Sequence, residues 1–245
     1  PSNEEIDLSV HVPSRLADLL KVGSIDVGLI PIIEYFRAVG EAHLSSYRII
    51  PDISISSRGA VRSIQLLSRV PIPRIQSVGL DTSSRTSHAL LRIVLTEKYD
   101  LQPTFSALPP SIELRSANTD AVLRIGDAAL RQLDSAPHSV DLGAEWDELA
   151  GLPFVYACWV ARCDIDLEKV TQILQEAKEL SIPQIPEIAQ VGAETLGLPE
   201  ALCSDYLTNR IFYDLGDSEI SGMNRFYELA QKHDLAPPGV SLRFA

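Results

Sequence analysis

The stretch IQSVGLDTSSRTSHALLRIVLTEKY, residues 75–99, decides the fold. Residues 75–81 read as a strand, and the hydroxyl-rich turn after them opens a helix whose apolar positions 89, 90, 93, 94 and 95 share one side. A strand feeding a helix through one short polar turn is a half-cycle of an α/β fold. The same alternation recurs on both sides. Upstream, after an alternating run at 6–12, Ser14 caps a helix carrying Leu16, Leu19 and Leu20, and Gly23 ends it. SIDVGLIPI (24–32) is then nearly continuous in apolar residues, as a strand covered on both faces requires. A short helix follows at 32–41, a strand at 47–55, and another strand at 63–68 beyond a glycine turn.

PIPRI (71–75), with two prolines in five residues, reads as a crossover. Downstream, 104–108 is a strand, AVLRIGDAALRQL (121–133) turns from strand to helix at Gly126–Asp127, 139–142 is a short strand and 152–162 the longest one. Helices are predicted at 166–179, 184–197, 199–208 and 218–234, the last capped by Asp217 or Ser218 with Glu219 in its first turn. The pattern predicts an α/β protein with parallel sheets, helices on both faces and two lobes joined by two crossovers around a cleft. The lobes are expected at 1–75 with 161–245, and at 76–160.

With 245 residues, 45% hydrophobic and 22% charged, the chain has an ordinary globular balance. A net charge of −12 disfavours nucleic acid, whose phosphates need a basic surface. It does not disfavour a small anion bound by a local set of hydroxyls and amides. No apolar run approaches the ~18 residues of a membrane span, and the first residues lack the basic-then-apolar signal-peptide pattern. Cys158, Cys163 and Cys203 form no CxxC pair, so free thiols in a reducing cytoplasm are expected, with no metal. No GxSxG, HExxH, P-loop or GxGxxG is present.

The segment DTSSRTS (81–87) sits where a strand ends and a helix starts, the place where open α/β sheets bind ligands. Helix N-termini offer unpaired N–H groups and partial positive charge to an anion. Thr82, Ser83, Ser84, Thr86 and Ser87 add hydroxyls and Arg85 a guanidinium; the bland reading is a capped loop with solvated serines. Gly126 allows close backbone approach, and Asp127 either caps the next helix or meets a ligand hydroxyl. SISSRGAVRS (54–63) places Ser56, Ser57 and Arg62 around Gly59 on the hinge side of the cleft; Arg62 holds a carboxylate or braces the hinge. Glu34 reads as a buried base or, more commonly, a first-turn helix charge, and His88 as an exposed first-turn histidine. Tyr156 is a candidate cleft-lining aromatic.

DVGLIPIIEY, the SxxGxVRS loop, LDTSSRTSxALLR, IGDAAL, GLPFVYACW and YLTNRIFYDLG…GMNRFYELA resemble, in order and over nearly the whole chain, the chorismate dehydratases. The resemblance implies a two-lobed fold like that of type II periplasmic binding proteins, used as a cytoplasmic enzyme. It also implies loss of water from chorismate to give 3-[(1-carboxyvinyl)oxy]benzoate, with no cofactor. On this basis Ser83, Ser84, Thr86 and Ser87 are expected to bind substrate carboxylate, with Ser56, Arg62, Gly126 and Asp127 contributing to binding and Ser57 to catalysis. Members of that family begin with a strand and a Tyr-Leu-Asn segment whose Asn serves the site, whereas this sequence begins at Pro1, at what reads as the second strand. Two alternatives share the fold: a carboxylate-binding module without chemistry, and a 1,4-dihydroxy-6-naphthoate synthase.

Overall fold

The computed structural model describes residues 6–39, 47–81, 84–109 and 111–245. Helix α1 (Pro13–Lys21) starts on Val12 with Pro13 at its first position, where the missing N–H costs nothing. Ser14 is therefore inside the helix and buried, not its cap. The run 6–12 pairs with no described strand, and Leu8 and Val10 are exposed.

Strand β1 (Val27–Pro31) runs straight into α2 (Ile32–Val39), and β2 (Tyr47–Ser57) follows. The 11 residues of β2 contain a register break between Ile49 and Ser54, at Pro51, which has no N–H for the ladder, and Asp52, at φ +61°. Next come β3 (Ile64–Ser68), β4 (Ser77–Asp81), α3 (Arg85–Tyr99), β5 (Thr104–Leu108), β6 (Ala121–Ile125), the four-residue α4 (Asp127–Leu130), β7 (His138–Asp141) and α5 (Leu142–Ala150). Strand β8 (Phe154–Arg162) leads into α6 (Leu167–Ser181), α7 (Ile185–Leu196), α8 (Glu200–Asp205) and α9 (Asp217–Lys232). Among the described residues no helix is long and apolar enough to cross a membrane.

Two sheets form, in the orders β1-β8-β2 and β5-β4-β6-β3-β7. The sheets are mixed rather than parallel as expected. Strands β5, β4 and β6 are parallel, whereas β3 runs antiparallel to β6 and β7, and β8 antiparallel to β1 and β2. A strand covered on both faces is apolar whichever way it runs, so composition could not give direction. Strand partners also differ from the expected lobes. β3 joins the second sheet rather than the first, and β8 joins the first rather than the second. We propose that the crossovers lie at 58–63 and 142–153, and that PIPRI is a surface turn inside the second lobe.

The core runs through both sheets. Trp146 of α5, Phe154 of β8 and Phe226 of α9 are almost wholly buried, with ring centroids 4.9–6.1 Å apart. Each such side chain contributes roughly 1.5–3 kcal/mol by burial. Helix α9 approaches β8 closely at Gly222, where a Cβ would stand 2.0 Å from the Pro153 carbonyl.

Candidate active site

The pairing registers bring distant segments to one edge of the second sheet. The C-terminal ends of β4 (Asp81) and β6 (Ile125) lie together because the strands are parallel. The start of β3 joins them because Ile64 pairs with Ile125, and the end of β7 because Asp141 pairs with Gln65. From β4 the chain turns through α3 to β5; from β6 it turns through α4 toward β7, on the other side. A crevice opens where connections diverge in this way. The corresponding edge of the first sheet holds the end of β1, which feeds α2, and the Ser57–Phe154 pair of β2 and β8.

Ser84, in extended conformation, caps α3: its Oγ accepts the Ser87 N–H at 3.4 Å and lies 3.0 Å from Ser87 Oγ. Thr86 Oγ1 accepts the N–H of Ile33, in the first turn of α2, at 3.4 Å. The hydroxyls of Thr86 and Ser87 are buried, so the solvated-serine reading fails for them. Thr82 and Ser83 lie outside the described residues. Arg85 is committed elsewhere, forking onto Asp18 at 2.9 and 3.0 Å and reaching Glu34 at 3.0 Å. Glu34 also pairs with Arg37 at 2.8 Å, so it acts as a first-turn charge that ties helices together. His88 is not exposed; it bonds the Asp81 carbonyl, and burial holds its pKa below the ordinary histidine value.

Ser57 ends β2, buried, with Oγ 2.9 Å from the Tyr156 hydroxyl and 3.5 Å from the Gly59 carbonyl. Burial pushes the Tyr156 phenol far up, so it stays protonated. Ser56 is placed differently. Its backbone and that of Phe212 exchange two bonds at 2.9 Å, and its Oγ donates to the Phe212 carbonyl at 3.3 Å. Arg62 braces: its N–H meets Asp141 at 2.5 Å, and its guanidinium reaches Asp205 at 3.2 Å.

Gly126, at φ +63°, precedes α4 and donates its N–H to the Ser63 carbonyl at 2.7 Å. That conformation, not lack of room, calls for glycine. Asp127 does not cap α4; it is exposed at the helix start. Two residues of this region went unrecognised in the sequence. Tyr206 bonds Ser63 Oγ at 3.1 Å. Asp141 accepts from the N–H groups of Val61, Arg62, Gly143 and Ala144 and from Gln65 Nε2 at 2.5–3.1 Å, fixing the 58–63 segment to the start of α5. The sequence signal for it was an Asp preceding Leu-Gly-Ala-Glu, a helix-start pattern. Among the described residues no three His, Cys, Asp or Glu side chains gather as metal ligands.

A family described as menaquinone biosynthesis matches residues 1–232. A chorismate dehydratase from Thermus thermophilus is 31% identical, with 89% of this chain and 84% of that protein covered. A crystal structure from Archaeoglobus fulgidus superposes with a TM-score of 0.74 at 18% identity, covering 94% of this chain and 88% of that one. The periplasmic aliphatic sulphonate binding protein SsuA from Escherichia coli gives 0.65 at 16% identity, covering 96% and 84%. The architecture is thus periplasmic-binding-protein-like. By the match along nearly its whole length, the chain belongs to the menaquinone biosynthesis family.

Proposed function

We propose that the protein is a chorismate dehydratase, releasing water from chorismate to form 3-[(1-carboxyvinyl)oxy]benzoate. The observation that carries this reading is the gathering of Ser57 with Tyr156, Thr86 with Ser87, and Gly126 with Asp127 at the facing edges of the two sheets. The Thermus relative of that name supplies the substrate.

The reaction breaks one ring C–H bond and the neighbouring C–OH bond, forms the last ring double bond, and joins proton and hydroxide as water. It needs no electron transfer, because loss of water is redox-neutral, and the aromaticity of the product drives it forward. The protein's tasks are to fix a dianion, supply a proton to the departing oxygen and exclude bulk water. The N-terminal N–H groups of α2 and α3, with Thr86 and Ser87, hold a carboxylate; Thr86 accepts from Ile33 and keeps its own proton to donate. Ser84 shapes this helix start by capping it. Tyr156, held protonated, donates to Ser57, whose proton turns from its weak 3.5 Å contact with Gly59 to the leaving oxygen. Asp127 accepts from the ring hydroxyl, and the Gly126 turn lets the backbone come close. The substrate's own carboxylate takes the ring proton and returns it to the Ser57–Tyr156 pair, so that the water released carries away one proton and one hydroxide in all. Ser56 and Arg62 brace the surround, and Ser83 joins the carboxylate set. The three free cysteines, two of them buried, support a reducing cytoplasm.

Incubation with chorismate tests the reading: a product lighter by one water supports it. Tight binding with chorismate recovered intact makes the protein a carboxylate-binding module instead.

A further inference from the structure

Arg124 is the fourth residue of β6, a strand otherwise of Ala, Val, Leu and Ile, and it is 0% exposed. A buried guanidinium is strongly unfavourable unless its donors are paired. Its Nη1 donates to the Leu123 carbonyl at 3.4 Å, while among the described residues Nε and Nη2 have no hydrogen-bond partner. Those two donors point the same way and form the side-on fork that matches both oxygens of a carboxylate.

The place is specific. Alternation sends Leu123 into the main core and puts Arg124 on the opposite face with Val122. The acidic groups acting on the guanidinium are Asp81, the last residue of β4, and Glu113, beyond β5. The parallel β4–β6 register, Val78 with Ala121 and Gly79 with Val122, sets Asp81 level with Arg124, so the guanidinium stands at the junction of β4 and β6, where the connections diverge.

We infer that Arg124 is a further substrate-binding residue, taking one carboxylate of the dianionic substrate side-on through Nε and Nη2 at the β4–β6 crevice. This rests on the proposed activity for the identity of the dianion, and on Arg124 alone for the carboxylate. It divides the recognition: one carboxylate sits on the two helix starts, the other on a buried fork.

The test compares the full chain with Arg124→Lys, which keeps charge without the fork, and Arg124→Met, which loses both. The probes are a stable dicarboxylate, 3-(carboxymethoxy)benzoate, and its two mono-amides, titrated by calorimetry, with chorismate turnover recorded in parallel. The unaltered protein is expected to prefer the dicarboxylate over one mono-amide by about 30-fold. Both variants lose most of that preference, and KM for chorismate rises more than kcat falls. A residue that only balances Asp81 would lower Tm with preference and KM intact, and that result overturns the inference, as does equal weakening of all three probes. If Arg124→Met does not fold, Arg124→Lys decides. Dicarboxylate preference that depends on Arg124, without chorismate turnover, removes the proposed activity and leaves the inference standing. Turnover with unchanged KM in Arg124→Lys does the reverse.

Discussion

The N–H of Ile33 meets Oγ1 of Thr86 at 3.4 Å across 53 residues of sequence. One belongs to the first turn of the helix after β1 and the other to the first turn of the helix after β4, so helix starts from two different sheets face each other. Two positive dipole ends in one buried place favour an anion between them.

Thr86→Val keeps the side-chain shape and removes the hydroxyl. It leaves Ile33 without its acceptor, which costs about 1 kcal/mol and lowers Tm by about 2–4 °C. KM for a carboxylate substrate is expected to rise about tenfold, with Thr86→Ser close to the unaltered protein. Steady-state kinetics and melting curves check both. A loss of stability with KM unmoved would reduce Thr86 to an interlobe tie.

Tyr156→Phe removes the hydroxyl beside Ser57 while keeping the ring that packs 4.8 Å from Phe154. If the phenol drives proton delivery to the leaving oxygen, kcat falls about 10²-fold with KM nearly constant. A KM effect alone would mean that the pair only binds substrate.

Gly143→Ala reaches the same serine by another route. A Cβ there would stand 2.5 Å from the Gly59 carbonyl and 3.1 Å from Ser57 Oγ. Relief of that overlap shifts the 58–63 turn, costs about 1–3 kcal/mol and lowers kcat. Full activity with normal Tm would show that the turn moves aside freely.

The first turn of α3, which bears Thr86, is also expected to respond to pH. His88 bonds the Asp81 carbonyl, and burial holds its folded pKa below the unfolded value of 6.5. Below that value the unfolded chain binds more protons, so stability is expected to fall as pH drops through and below 6.5 toward the folded pKa. In His88→Gln this part of the dependence is absent. Melting temperatures followed downward from pH 7.5 in both proteins measure it, and parallel curves would exclude His88 as the cause.

The β4–α3 unit was readable because a strand, a serine cap and a helical apolar stripe are all local signals. The C-terminal helices were readable for the same reason: α6, α7 and α9 begin within one residue of their predicted starts. Partner choice was not readable. Ile64–Ser68 is buried at every position and fits either sheet equally well, so its antiparallel place beside β6 emerges only from the fold. In the site, Ser84, Thr86 and Ser87 were legible as hydroxyls clustered at a helix start, and Ser57 as a serine beside the Gly59 turn. Ser56 looked identical to Ser57, but its hydroxyl faces the Phe212 segment, whose proximity is a tertiary fact. Asp141 and Tyr156 act through residues 80 and 99 positions away, and no local pattern encodes such contacts.

The most direct test is proton NMR of chorismate incubated with the protein. Ring-diene signals are expected to give way to those of a 1,3-disubstituted benzoate while the enolpyruvyl methylene signals persist, and Ser57→Ala is expected to slow this conversion about 10²-fold or more. Unchanged chorismate, loss of the methylene signals, or conversion at full rate in Ser57→Ala would contradict it.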